Sequence, residues 1–130
     1  MLKLLTYTSL LFADKSKIFF RNARDRRNLK GLIEIHHIIP RQLKKHPTII
    51  YSDYEIENGY NFMFLPTYKG AQVLNLHEDR PIHANGHMNY NSYVAITLDK
   101  MFADGRTSEA DLCEFNLFLR ENMRHLDIPW

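Results

Sequence analysis

The chain predicts an α+β fold with a small sheet, on three observations. Two short apolar runs, residues 33–39 and 61–65, each stop at a proline, Pro40 and Pro66. A turn signal, Asn58-Gly59, stands between them. Longer stretches with apolar residues at helical spacing lie before and after the pair. Short β-branched or aromatic runs bounded by breakers are strands, a 3.6-residue apolar period marks helices, and a strand pair flanked by helices is α+β. A length of 130 residues predicts one domain, and 45% hydrophobic residues is enough to build a core.

Taken in order, residues 3–30 are predicted helical, with apolar groups at Leu4, Leu5, Leu11, Phe12, Ile18, Phe19 and Phe20 and an interruption at Asp14. The opening Met1-Leu2-Lys3, followed by Leu4 to Ala13, has the outline of a secretory signal. Its positive end is thin and Thr6, Tyr7, Thr8 and Ser9 break the apolar run, so the expectation is a helix of the folded domain. It is too short to span a membrane. Arg21, Arg24, Arg26 and Arg27 crowd the end of the helix, where cations suit the dipole, and Gly31 is the expected terminator.

Residues 33–39 then form a strand. Residues 41–45 make a basic turn or short helix, His46-Pro47 punctuates it, and residues 48–51 are expected to be extended. A second strand follows over residues 61–65. Residues 67–85 carry only a weak pattern. After Gly86 a helix is predicted through Tyr90, Tyr93, Val94, Ile96, Thr97, Leu98 and Met101, with a turn at Asp104-Gly105. Ser108 caps the last helix, with Asp111 three residues on as a capping-box variant, and Leu112, Phe115, Leu119 and Met123 form its apolar face. The expected organisation is a single domain over 1–130: a basic helical segment 1–30, a core about 31–102 and a C-terminal helix about 108–125.

The net charge is only +2, but it is unevenly spread. Residues 15–45 hold ten Lys/Arg against two acids, and residues 46–130 hold six against twelve. Arg21, Arg24, Arg26, Arg27, Arg41, Lys44 and Lys45 would make a basic surface suited to a phosphate backbone. The competing explanation is a solvated helix face. The single Cys113 excludes an internal disulfide framework and a cysteine-built zinc site, so any metal is held by nitrogen or oxygen. An inert thiol near an apolar helix face is the expectation, compatible with a reducing, cytoplasmic setting.

The chemistry lies in the histidines. His36 and His37 are adjacent inside the apolar run Ile35-His36-His37-Ile38-Ile39-Pro40, where imidazoles are poorly solvated unless something binds them. His83 and His87 follow, four residues apart. Hydrolysing a phosphodiester needs an activated water, a cation on the phosphate oxygens and a protonated leaving group. A neutral imidazole can take the proton, and a set of imidazoles can hold the cation. Neighbouring strand residues face opposite ways, so His36 and His37 can share a site only where the strand ends or twists, and Pro40 supplies an end. The His83/His87 spacing fits one helical face, but Asn85 and Gly86 disfavour a helix interior, so a loop entering a helix near His87 is an equal alternative. Asn61 is either a turn residue or a carboxamide that braces the loop between the strands and fixes His37. His46, His77 and His125 are read as structural or surface groups, and Tyr90 and Tyr93 as core.

The ordered set His36-His37-Ile38-Ile39-Pro40, His46-Pro47, Asn61-Phe62-Met63-Phe64-Leu65-Pro66 and His83-x-x-Gly86-His87-x-x-Tyr90 resembles the AHH branch of the HNH/endonuclease VII superfamily over about residues 30–100. The resemblance implies a ββα-metal (His-Me finger) core with an N-terminal helix and C-terminal helices. It also implies cleavage of nucleic acid, here expected to be DNA, with one divalent ion such as Mg²⁺, Mn²⁺, Ni²⁺ or Zn²⁺. It makes His36 and His87 metal ligands, His83 a third ligand, His37 the general base, and Asn61 the residue that braces the loop and the base. Ile35 stands where the family's name records alanine, a position with no chemical duty. Such domains often serve as secreted toxins, which would add an immunity protein as partner. The other readings are a ββα domain that binds nucleic acid without cutting it, and a histidine-rich metal-binding scaffold. None of these needs a membrane.

Overall fold

A computed structural model of the protein describes residues 17–75, 81–82, 87–125 and 128–130. Residues 3–16 of the helix expected over 3–30, and His77 and His83, lie outside the described residues. Within them, β1 (Ile33–His37) pairs antiparallel with β2 (Phe62–Pro66) as a two-stranded sheet. Helices α1 (Lys17–Arg26), α2 (Pro47–Ser52), α3 (Tyr68–Val73), α4 (Met88–Ala103) and α5 (Glu109–His125) surround it. This is the expected mixture of helices and a small antiparallel sheet.

The register sets Ile35 opposite Phe64, His36 opposite Met63 and His37 opposite Phe62. One more bond, from the Ile38 N–H to the Asn61 carbonyl at 2.8 Å, carries the pairing past the end of β1. Two strands alone are marginal in water, so the packed cover matters. Phe20 of α1 meets the rings of Phe62 and Phe64 edge-on at 5.5 and 5.4 Å. Cross-strand partners share a face, so α1 lies over the face that also carries His37. His36, one residue earlier, meets Tyr90 of α4, whose hydroxyl donates to the Ile38 carbonyl.

Helix α4 buries Tyr90, Val94, Leu98 and Met101, and α5 buries Leu112, Phe115, Leu119 and Met123. Both sets repeat at three and four residues, the period of one helical stripe. They close one core with Ile38, Ile39, Ile49 and Ile56. Ser108 and Asp111 form the expected reciprocal cap of α5, with the Asp111 N–H on Ser108 Oγ at 3.1 Å and the Ser108 N–H on Asp111 Oδ2 at 3.2 Å. Cys113 is a buried free thiol, pushed up to about 11 by burial.

Three local expectations need correction. Residues 48–51 are not extended; they belong to α2. Thr48, Ile49 and Ile50 favour a strand as isolated residues, but His46 caps the helix by accepting the Thr48 N–H at 3.1 Å, and Pro47 sits at the first turn. There its missing N–H costs nothing. Thr48 Oγ1 then donates to the Leu98 carbonyl at 2.7 Å and ties α2 to α4. The first helix ends at Arg26 rather than near Gly31, because Asn28 takes the left-handed conformation at φ 55°. Gly31, at φ 80°, instead makes the turn into β1. The weakly patterned stretch after Pro66 contains α3, which starts because Thr67 Oγ1 accepts the Gly70 N–H at 3.0 Å.

Gly70 packs against the end of the loop before β1. A methyl group there would stand 1.7 Å from the Leu32 carbonyl oxygen. Gly70→Ala therefore forces α3 off the sheet, with an expected loss of about 1–3 kcal/mol, the range for overpacking a close contact. Urea unfolding measures it, and an unchanged midpoint would mean that α3 moves without cost. Among the described residues, no helix is long and apolar enough to cross a membrane.

Candidate active site

The site forms where β1 runs out. His36 is 1% exposed and His37 is half-buried, and both line a cleft completed by Arg41, Gln42, His87 and Asn91. The strand ends at His37, which is how two side chains of opposite facing border one cleft. Pro40, at φ −55°, ends the extended run, and a 3₁₀ turn over Arg41–Leu43 brings Arg41 back beside the pair.

The turn is held by Asn61. Its Oδ1 accepts the Ile39 N–H at 2.9 Å and the Tyr54 hydroxyl at 2.7 Å. Its Nδ2 donates to the Ile39 carbonyl at 3.0 Å and the Ile56 carbonyl at 2.8 Å. Both backbone groups of a residue two beyond His37 are thus clamped from the 3₁₀ turn that leads into β2. Asn116 of α5 extends the network, donating to the Tyr54 hydroxyl at 2.6 Å and the Tyr60 carbonyl at 3.1 Å. Arg120 adds a bond to the Tyr60 carbonyl at 2.8 Å.

The metal-type geometry involves His36 and His87. Their rings lie 5.1 Å apart between centroids, at 73°. His87 stands at the N-terminus of α4, the helix-entry position that the glycine and asparagine before it foreshadow. Its Nδ1 is 3.2 Å from Asn91 Oδ1. A carboxamide oxygen only accepts, so Nδ1 is the donor of this bond. Two imidazoles on one ion, with bonds of about 2.0–2.1 Å, place their centroids about 5 Å apart, a spacing this pair shares with the ring packing around it. Among the described residues, no three His, Cys, Asp or Glu side chains gather as a complete ligand set. His83, expected as the third ligand, lies outside them.

Trp130 closes the inner side of the pair. Its ring is 5.4 Å from His36, 5.0 Å from His87 and 5.1 Å from Tyr90. Its Nε1–H donates to the Ile82 carbonyl at 3.0 Å.

His37 is set apart from these rings. Its Nε2 is 3.2 Å from each carboxylate oxygen of Glu57, and Glu57 Oε1 is 3.1 Å from Arg41 Nε. Burial pushes the His37 ring below the ordinary histidine value; the Glu57 carboxylate opposes that, and the charges of Lys17 and Arg41 reinforce it. The net lowering favours the neutral ring, the form able to accept a proton.

Four site groups escaped sequence reasoning. Asn91 had a signal, standing one helical turn after His87. Glu57 and Trp130 had none, because only the folded chain brings them to the pair, and Lys17, which His37 feels only as a charge, had none either. Of the seven basic residues expected on one surface, Arg21, Arg26, Arg27, Arg41, Lys44 and Lys45 are exposed. Arg24 is buried, with Nε 3.1 Å from Asp25 and Nη1 3.3 Å from Glu34. His46 is a helix cap that also holds Asp99 at 2.6 Å.

A family model described as AHH, a nuclease family of the HNH/ENDO VII superfamily with conserved AHH, matches residues 22–115. The match spans β1, β2, α4 and the start of α5, and contains every described residue of the cleft. No curated protein and no solved structure matches the chain.

Proposed function

The chain belongs to the AHH nuclease family of the HNH/ENDO VII superfamily, and on that premise we propose that it is a single-metal endonuclease acting on DNA through a ββα-metal core. The observation that carries this reading is the paired arrangement at the end of β1. His36 and His87 approach at 5.1 Å, while the neighbouring His37 points to a different partner. In this reading one imidazole of the adjacent pair serves a cation and the other a water.

In this reading β1, β2 and α4 are the ββα unit, within a single domain over 1–130. His36 and His87 hold a divalent ion, with His83 as third ligand. When bound, the ion supplies positive charge to the phosphate oxygens. His37 takes the proton from the attacking water. Asn61 fixes the turn that carries the base. Arg41, beside the cleft, meets the phosphate, and Arg21, Arg26, Arg27, Lys44 and Lys45 follow the backbone on either side. Arg24 instead holds Asp25 and Glu34 and keeps α1 on β1. A role as a toxin held by an immunity protein would use the same chemistry.

Plasmid nicking tests the reading. The protein nicks supercoiled plasmid with Mg²⁺, Mn²⁺, Ni²⁺ or Zn²⁺ present and stops when the ion is chelated; the same assay on structured RNA ranks the substrates. Full nicking in excess chelator contradicts it, and binding without nicking under every ion favours the non-cutting nucleic-acid-binding domain.

The basic surface has its own test. Reversing Arg21, Arg26, Lys44 and Lys45 together should weaken DNA binding and flatten its salt dependence, by about 0.9 in log–log slope for each phosphate that is no longer neutralised. Anisotropy titrations at several salt concentrations measure the slope. The wild-type slope in that variant would make these residues only a solvated face.

A further inference from the structure

The function proposed above leaves open what holds the His37 ring, and we propose that Glu57 is the positioning residue of that base. The inference rests on the reading of His37 as the general base. Both Glu57 oxygens lie 3.2 Å from His37 Nε2. An ionised carboxylate only accepts hydrogen bonds, so a neutral His37 bonded to it carries its proton on Nε2 and its lone pair on Nδ1. The nitrogen that takes the proton from water is therefore Nδ1. Without such a partner a neutral imidazole is free to carry its proton on either nitrogen, and the tautomer with the proton on Nδ1 has no base at the working position.

Glu57 is itself held. Arg41 Nε sits 3.1 Å from Glu57 Oε1, so the guanidinium, the carboxylate and the ring form one chain. Glu57 lies in the segment between α2 and β2, four residues before Asn61. Asn61 grips the Ile56 carbonyl at 2.8 Å. The clamp that fixes the turn after His37 thus also fixes the backbone next to Glu57, and the base and its partner are placed by one residue. The ring of Phe62, 4.9 Å from His37 and at 85°, borders the imidazole with an apolar wall.

The prediction concerns orientation, so its test begins with the ring itself. Long-range ¹H–¹⁵N spectra at about pH 8, above the ordinary histidine range, should show His37 of the wild type with its proton on Nε2. Glu57→Ala should lose that preference. Glu57→Gln should keep it, because a carboxamide oxygen still accepts from Nε2. In plasmid cleavage, Glu57→Ala should lower kcat on the order of 10–100-fold, the range for partners that orient a functional histidine, with KM and metal affinity near wild type. Glu57→Gln should recover most of kcat. Glu57 is half-exposed, so neither change opens a hole in the core. If Glu57→Ala keeps the wild-type tautomer, the assignment of Glu57 is overturned even in an active nuclease. If the tautomer shifts while kcat stays unchanged, His37 is not the base, and the reading of the preceding subsection falls with this one.

Discussion

His37→Ala should abolish most cleavage while leaving metal and DNA affinity close to wild type. Loss of a general base costs about 10²–10⁴ in rate, and among the described residues no second base stands beside His37 to replace it. Its polar partner, Glu57, is engaged with Arg41 as well as with the ring. His36 sits among the rings of His87, Tyr90 and Trp130 and cannot turn toward the same water without leaving them. The variant should still fold, because His37 lies at the strand end and not among the residues of the main core, and circular dichroism checks this. Plasmid nicking at saturating metal measures the loss. Wild-type nicking would remove His37 from the mechanism.

Asn61→Ala should be the most destabilising single change at the site. The carboxamide is fully buried and serves four partners: the Ile39 N–H, the Ile39 and Ile56 carbonyls and the Tyr54 hydroxyl. Each buried polar group left without a partner costs about 1–3 kcal/mol, and some relaxation is shared, so the expected loss is on the order of 3–5 kcal/mol. Asn61→Asp should not rescue it, since a carboxylate cannot donate to two carbonyls. Burial pushes the Tyr54 phenol well above its ordinary value, so that hydroxyl stays a donor and cannot ionise to relieve the strain. Urea unfolding gives the magnitude. A loss below about 1 kcal/mol would mean that water replaces the side chain and that the clamp is not structural.

Much of this was legible in the chain, for physical reasons that differ by residue. The strand ends at the histidine pair because β-branched residues lead up to it and a proline follows, and both signals are local. The helix of Tyr90, Val94, Leu98 and Met101 was legible from its period, and the cap of the last helix from Ser108 and Asp111. Residues 48–51 misled, because Thr48, Ile49 and Ile50 favour a strand while a histidine cap and a bond to Leu98 decide the outcome. Histidine is a rare cap, and the bond spans fifty residues. The partners of the site were the least legible. Glu57 is one acid among several in its segment, Lys17 one base among many, and Trp130 meets the pair only after the chain has closed. Arg24 looked like its exposed neighbours, and only the position of Glu34 on β1 shows why it is buried.

The central claim is a division of labour between adjacent imidazoles, one for the ion and one for the proton. Calorimetric titration of a divalent metal into the wild type, His36→Ala, His87→Ala and His37→Ala tests it most directly. The predicted result is one ion bound by the wild type and by His37→Ala with similar affinity, and weakened or abolished binding in His36→Ala and His87→Ala. Metal binding abolished in His37→Ala alone, or unchanged in His36→Ala, would contradict it.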